Sequence, residues 1–339
     1  MALKLLHPGC GDRERLRASR ARAHIPELPS PGSLKPFVAE ASPDIFRVSP
    51  REAASLGTPT AFPVSFEVYP PRSPEHLGNL HEAIDFLSTT SPDFISVTFG
   101  AGGSSARDSL GVLDYILRTS SALPLAHLTC VGNTRDEARG LISSFLEAGI
   151  THFLALRGDL PQGQFAPRGD LPHASDLVSL LRDIQVENNA VEKIAVAAFP
   201  NGHPESRDRA EDLAVLVKKQ EAGATLAITQ LFFVVEEYEN FVSEARRAGV
   251  TMEILPAIMP ITSLGRLARV RELTGETAPQ ELKDALAAQT SSEDQKKVGI
   301  QWSARMTQRL QERGAPGVHL YAFNQHSTVL SVLEEAGVR

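Results

Sequence analysis

Eight short apolar runs recur along the chain, separated by longer stretches, several with helical spacing, and this alternation narrows the possible folds more than any other feature. The runs are PVSFEVY (63–69), DFISVTFG (93–100), PLAHLTC (124–130), HFLALRG (152–158), IAVAAFP (194–200), LAITQLFF (226–233), MEILPAIMP (252–260) and GVHLYAFN (317–324). Uninterrupted apolar runs of this length suit parallel strands covered on both faces. Between them, Leu77, Leu80, Ile84 and Leu87 share one helical face, and residues 138–148, 207–222 and 237–248 also have helical spacing. Gly149, Gly223 and Gly249 follow those three stretches, and glycine is the residue type that ends helices. Eight strands with intervening helices is the count of a (β/α)8 TIM barrel, in the α/β class. A doubly wound open sheet is the alternative, but it would carry a glycine-rich turn after its first strand. Here that strand runs into Tyr69-Pro70-Pro71-Arg72.

The barrel is expected over residues 61–339. Residues 1–60 read as an N-terminal extension, punctuated by Pro26, Pro29, Pro31, Pro36, Pro43 and Pro50, a spacing that breaks helices and sheets. The net charge of −7 argues against a nucleic-acid partner, whose binding surfaces are usually basic. Two cysteines, Cys10 and Cys130, are too few for a disulfide framework and point to a reducing, cytoplasmic setting. No run of about 18 apolar residues exists, so no membrane span is expected. The Arg-rich N-terminus lacks the apolar segment of a secretory signal.

Barrel enzymes place their chemistry at the C-terminal ends of the strands. Glu67, Thr98, His127 with Thr129, Arg157-Gly158-Asp159, His203, Thr229 with Gln230, and Asn324-Gln325 fall at or just after those ends. Buried polar groups are costly without partners, so their recurrence around one rim describes a pocket. Each has a plainer reading alone. Glu67 could pair with an arginine, and His127 could be a hydrogen-bonded core histidine. Gly100 to Gly103 could be a tight turn or a close approach to a cofactor phosphate. Lys218 and Lys219, on a helix, would ordinarily be solvated, as would Glu236, Glu237 and Glu239. His127 and Cys130 are two potential ligands where a metal needs more, so no metal is expected.

The strands and their flanks resemble the methylenetetrahydrofolate reductases of bacteria. Ser65 to Arg72 (SFEVYPPR) is similar to that family's SFEFFPPR, and Ser96 to Ala101 (SVTFGA) to its SVTYGA. HLTC (127–130), LRGDLP (156–161), ASDLV (174–178), AAFP (197–200) with HPE (203–205), and ITQLFF (228–233) follow in family order. The resemblance runs from residue 63 to the C-terminus. It implies a flavoprotein that binds FAD and reduces 5,10-methylenetetrahydrofolate to 5-methyltetrahydrofolate with NADH or NADPH, in ping-pong order. It also implies a homo-oligomer, and a place in one-carbon metabolism feeding methionine synthesis.

Carried over residue by residue, the resemblance makes Glu67 the general acid and Asp159 a partner of the pterin and the flavin. Gln230 would contact folate and nicotinamide. Thr98, Phe99, Ala101, His127, Arg157, Gly158, His173, Ala174, Phe199 and His203 would touch FAD. Asp212, Lys218 and Lys219 would serve its ribose and phosphates. The chain also departs from the pattern. Phe99, Phe199 and His173 stand where the family has tyrosine, and Val215 where asparagine is common. Gln325 replaces an arginine that helps hold folate, and Arg266 aligns with a folate-contacting glutamine. The expectation is that Arg266 and Gln325 lie in the folate site, with Arg266 restoring the missing charge. The alternatives are the same chemistry run as methyltetrahydrofolate oxidation, a non-catalytic folate- or flavin-binding barrel, or an unrelated barrel lyase. The lyase would need a Schiff-base lysine on a strand, and none of the eight runs contains lysine.

Overall fold

The computed structural model describes residues 62–71, 73–99, 106–158 and 169–339. The proline-punctuated extension, Arg72, the turn with Gly100 and Ala101, and Asp159 lie outside the described residues. The strands are β1 (Val64–Val68), β2 (Phe94–Val97), β3 (Leu123–Thr129), β4 (His152–Leu156), β5 (Lys193–Ala198), β6 (Leu226–Thr229), β7 (Glu253–Leu255), β8 (Ala257–Ile258) and β9 (Val318–Tyr321). The helices are α1 (Leu77–Ser88), α2 (Ala106–Thr119), α3 (Arg135–Glu147), α4 (Ala174–Asn188), α5 (Arg209–Ala222), α6 (Val235–Arg247), α7 (Leu264–Thr274), α8 (Gln280–Ala287), α9 (Ser292–Glu312) and α10 (His326–Glu335).

Every strand pairing is parallel, and the order is β7-β6-β5-β4-β3-β2-β1-β9-β8. β7 and β8 are two halves of one expected strand, 252–260, divided at Pro256. The first half pairs with β6 and the second with β9, so the split strand closes the ring. Proline has no N–H to give to either ladder, which is why the strand breaks there. The Pro256 carbonyl still accepts the His319 N–H at 2.9 Å. The result is the (β/α)8 barrel that the alternating runs predict.

Alternation along each strand separates two cores. Val64, Phe66 and Val68 of β1, Ala126 and Leu128 of β3, and Val318 and Leu320 of β9 pack outward against the helices. Burying a side chain such as Phe66 contributes about 1.5–3 kcal/mol. The opposite faces point into the lumen. Leu154, Leu156, Ala195, Leu226, Ile228, Leu255 and Ala257 form an apolar lumen wall from β4 to β8. The lumen positions of β1, β2, β3 and β9 are largely polar by the same alternation: Ser65, Glu67, Ser96, His127, His319 and Tyr321.

Three local expectations change. Leu77 begins α1 but is exposed, so the buried stripe of that helix is Leu80, Ala83, Ile84 and Leu87. β5 begins one residue early, at Lys193, so one strand does contain a lysine. That lysine sits at the strand's N-terminal end, opposite the rim that carries the polar strand ends, and its Nζ lies 3.9 Å from Glu253. Glu237 is not simply solvated, because its carboxylate accepts the N–H groups of Phe233 and Val234, both at 3.3 Å. Glu236 and Glu239 pair with Arg309 and Arg313.

Candidate active site

Glu67 is the last lumen-facing residue of β1, and its side chain is 15 % exposed. Burial pushes its carboxyl up from 4.5 to about 8, so it holds its proton at neutral pH. His127 reaches the same space from β3, with Nε2 3.5 Å from the Glu67 Oε2. Its imidazole is buried and lowered to about 3, first by burial and then by His319. His319 is likewise held neutral by burial, at about 3, and its Nδ1 lies 2.8 Å from the Ser65 hydroxyl. Tyr321, next inward-facing on β9, leans over the mouth, and its hydroxyl donates to the Thr229 carbonyl at 3.4 Å. Glu67, His127, Tyr321, Thr229 and Gln230 line a small cavity at the mouth, backed by Leu154, Leu156, Ala197, Phe199 and Ile228.

The Gln230 backbone N–H continues the β5 ladder to the Ala198 carbonyl at 2.7 Å, which fixes the residue at the strand end. Its Oε1 accepts the Leu231 N–H at 2.9 Å, and its Nε2 has no partner among the described residues. Both ring nitrogens of His127, the Thr98 Oγ1 and the Ser96 Oγ are buried without a hydrogen-bond partner among the described residues. Of these residues His127 lines the mouth cavity, and orphaned buried polar atoms are what a polar ligand or bound water would satisfy.

A larger cleft of about 410 Å³ adjoins the mouth and shares Leu156, Ala197 and Phe199 with it. It runs outward between β4, β5, α4 and α5. Arg157, Gly158, His173, Ala174, Phe199, His203, Asp212, Lys218 and Lys219 all line it, so nine residues singled out from the sequence converge on one surface. Gly158 is required there. Its φ is +87°, and a Cβ would fall 2.7 Å from the Val131 Cγ1. Arg157 is aimed by Glu205, with Nη2 2.8 Å from Oε1. His173 precedes α4, and its N–H is taken by the Asp176 carboxylate at 2.9 Å, a structural reason for the aspartate of ASDLV. The Asp212 carboxylate is fixed by the Ser206 hydroxyl at 2.6 Å and the His203 N–H at 3.2 Å.

Lys219 departs from the expectation for a helix lysine, being only 8 % exposed. Its Nζ donates to the Ala197 carbonyl at 2.8 Å and lies 5.9 Å from the centre of the Phe199 ring. Burial lowers its ammonium to about 8. The Phe199 ring meets His203 edge-on at 4.6 Å, so this phenylalanine is part of the wall although it lacks a hydroxyl. Val215 also lines the cleft.

The remaining candidates are spread around the rim. Thr98 and Phe99 follow β2, with Thr98 buried and its carbonyl taking the Ser109 hydroxyl at 2.9 Å. Arg266, on α7, lays its guanidinium 5.0 Å from the centre of the Phe323 ring and forms no ion pair among the described residues. Gln325 is exposed, and it opens on a separate cavity rather than on the mouth. Sequence reasoning missed Tyr321, His319 and Ser65. The signal that could have found them is the period-two pattern, since all three occupy lumen-facing positions along their strands. Cys130 turns away from the lumen, its Sγ 3.5 Å from the His173 carbonyl and 3.6 Å from that of Arg157. Among the described residues no helix is long and apolar enough to cross a membrane.

A family model described as methylenetetrahydrofolate reductase matches residues 55–337. The chain is 35 % identical to a 5,10-methylenetetrahydrofolate reductase of Salmonella typhimurium, covering 81 % of this chain and 91 % of that one. It is 33 % identical to a probable NADH methylenetetrahydrofolate reductase of Oryza sativa, covering 85 % of this chain and 50 % of that one. Among solved structures, a Clostridium thermocellum protein described as binding two copies of 5-methyl-5,6,7,8-tetrahydrofolic acid superposes with a TM-score of 0.57 at 16 % identity, covering 81 % of this chain and 94 % of that one. At that identity the likeness concerns the fold alone. The sequence matches span the barrel that carries the mouth and the cleft, and the chain belongs to the methylenetetrahydrofolate reductase family.

Proposed function

We propose that this chain reduces 5,10-methylenetetrahydrofolate to 5-methyltetrahydrofolate, with FAD as resident cofactor and NADH or NADPH as hydride donor, the two substrates taking turns at one mouth. The observation that carries this reading is Glu67, a carboxyl kept protonated near neutral pH at the mouth of a barrel. The cleft suits FAD by its donor set. Arg157, Lys218 and Lys219 offer positive charge to a pyrophosphate, Asp212 offers acceptors to ribose hydroxyls, and Ala155, Leu156, Ala197 and Phe199 offer an apolar face to a ring system. When bound, FAD supplies a carrier for hydride between two substrates that share one site.

The protein's own part is acid chemistry and positioning. The five-membered ring of the substrate must open before its methylene carbon can accept hydride. Glu67 gives its proton to the amine nitrogen released in that opening. Neutral His127 beside it adds no positive charge that would strip the proton early. The Gln230 Nε2, unpartnered among the described residues, is available to donate to the bound ring. Asp159, adjacent in sequence to Gly158, is assigned to the pterin's donors, and Arg266 to the folate's negative charge.

Anaerobic absorption spectroscopy tests the reading. NADH or NADPH bleaches the flavin band near roughly 450 nm, and methylenetetrahydrofolate restores it. In Glu67→Gln the bleaching stays, while restoration slows by about 10²–10⁴-fold, the usual worth of a general acid. In the wild type, restoration fades as pH rises through about 8, because the acid form is the active one. A protein that takes up no FAD, or a Glu67→Gln variant restored at the wild-type rate, refutes the proposal.

A further inference from the structure

The loop between β5 and α5 carries Phe199, which walls both the mouth and the cleft. β5 ends at Ala198, so the carbonyls of Phe199 and Pro200 lie beyond the ladder and need other donors. Arg209, the first residue of α5, supplies them. The Asp208 carboxylate caps that helix by accepting the Glu211 N–H at 2.9 Å, which fixes the point from which Arg209 starts. Its guanidinium then turns back along the loop. Nη1 donates to the Phe199 carbonyl at 3.1 Å and to the Pro200 carbonyl at 2.7 Å. Nε donates to the Glu244 carboxylate of α6 at 2.6 Å, and the guanidinium carbon lies 4.9 Å from the centre of the Phe241 ring.

One side chain therefore ties the loop to two helices. A guanidinium suits the task because its planar fork can stack on a ring while its N–H groups reach separate acceptors, which a lysine ammonium does less well. The Arg209 and Glu244 side chains are 31 % and 38 % exposed, and an ion pair that open adds little to stability. What the arrangement fixes is direction. The Phe199 ring meets His203 edge-on at 4.6 Å and has the Lys219 Nζ 5.9 Å from its centre, but neither contact holds its backbone. The Phe199 carbonyl also accepts the Gly202 N–H at 3.2 Å, and on the loop's other flank the Asn201 amide donates to Glu276 at 2.8 Å.

We infer that Arg209 is a positioning residue, which sets the backbone from which the Phe199 ring stands between cleft and mouth. This rests on the reading of the cleft as the FAD site. Phe241 lines the cleft and Arg209 does not, so Arg209 stands behind the wall and acts through Phe199. Without it the wall shifts, and a ring system in the cleft loses its stop on the side facing the mouth.

The test uses the full chain with Arg209→Met, Arg209→Lys, Glu244→Gln and, as control, Arg207→Gln, which breaks only an exposed pair with Glu211. FAD release, followed by flavin fluorescence, speeds up about three- to tenfold in Arg209→Met, the scale of one charged hydrogen bond at a partly exposed site. The effect is smaller in Arg209→Lys and Glu244→Gln and absent in Arg207→Gln. At saturating FAD the limiting rate of bleaching by NADH or NADPH falls in Arg209→Met and partly recovers in Arg209→Lys, a pattern that lost stability alone does not give. In cofactor-free protein the Gly202 amide exchanges with deuterium about tenfold faster in Arg209→Met. Glu244→Gln keeps the guanidinium but loosens its aim, so it decides the matter if Arg209→Met does not fold. Wild-type FAD release and bleaching in both Arg209→Met and Glu244→Gln, or unchanged Gly202 exchange, overturn the inference. A wild type that takes up no FAD refutes the cofactor reading instead, and Gly202 exchange then decides whether Arg209 holds the wall.

Discussion

Ionising Glu67 would place a charge at a mouth where its side chain is only 15 % exposed, and the raised pKa has a cost that shows in stability. In the unfolded chain the carboxyl ionises around 4.5, and in the folded chain around 8. Unfolding therefore releases a proton between those values. The contribution of this residue is full below pH 4.5 and declines as pH rises through about 8. The two buried imidazoles have the opposite sign. His127 and His319 are lowered from 6.5 to about 3, so their contribution is present above pH 6.5 and lost as pH falls toward 3. Glu67→Gln should remove a decline in melting temperature between pH 4.5 and about 8 while leaving the histidine-linked loss at lower pH in place. Melts of cofactor-free protein across pH 4 to 9 check this, and a pH 4.5–8 slope unaltered in the variant would show that Glu67 does not set it. At this scale the placement of Glu67, His127 and Gln230 around one mouth was legible, because polar residues that end apolar barrel strands meet at one rim. The buried state of Lys219 was not, since helix periodicity alone cannot tell which lysine leans toward a carbonyl such as that of Ala197.

Elements pack closely enough that one hydrogen atom in place of a methyl group decides some contacts. Gly299 lies in the middle of α9, where a Cβ would stand 1.9 Å from the Ile261 carbonyl oxygen. Neither the helix nor the segment after β8 can yield without moving the rim. Gly299→Ala should therefore destabilise by about 1–3 kcal/mol, as overpacking does. Gly140 is also inside a helix, α3, but nothing lies within 4 Å of the Cβ position. Gly140→Ala should stabilise by about 0.5–1 kcal/mol through helix propensity alone. Urea melts of both variants check the pair, and equal shifts would contradict the packing argument. Strand and helix existence could be read from hydrophobic period, yet the Gly299 crossing could not, because glycine in a helix looks like a weakness until the neighbour is known. The break at Pro256 lay within an apolar run, and only the closure of the ring showed that its two halves serve different partners.

For the molecule as a whole, the barrel was readable from its eight runs, because parallel strands buried on both faces leave a distinctive sequence. The division of its lumen into a polar and an apolar half was not, since it depends on which strands become neighbours across the closing pairs. Closure itself is uneven. β3 and β4 share five register pairs, whereas β8 and β9 share two, Ala257 with His319 and Ile258 with Leu320. A ring is only as continuous as its shortest ladder, and this one spans the proline that can donate nothing. Local breathing should begin there. The His319 amide, bonded across the seam, should exchange with deuterium faster than the amide of Leu154 in β4, and the reverse order would place the weak joint elsewhere. A barrel normally has no free strand edge to offer another molecule. When this seam parts it bares two, so the first species formed on warming is also the one most prone to self-association.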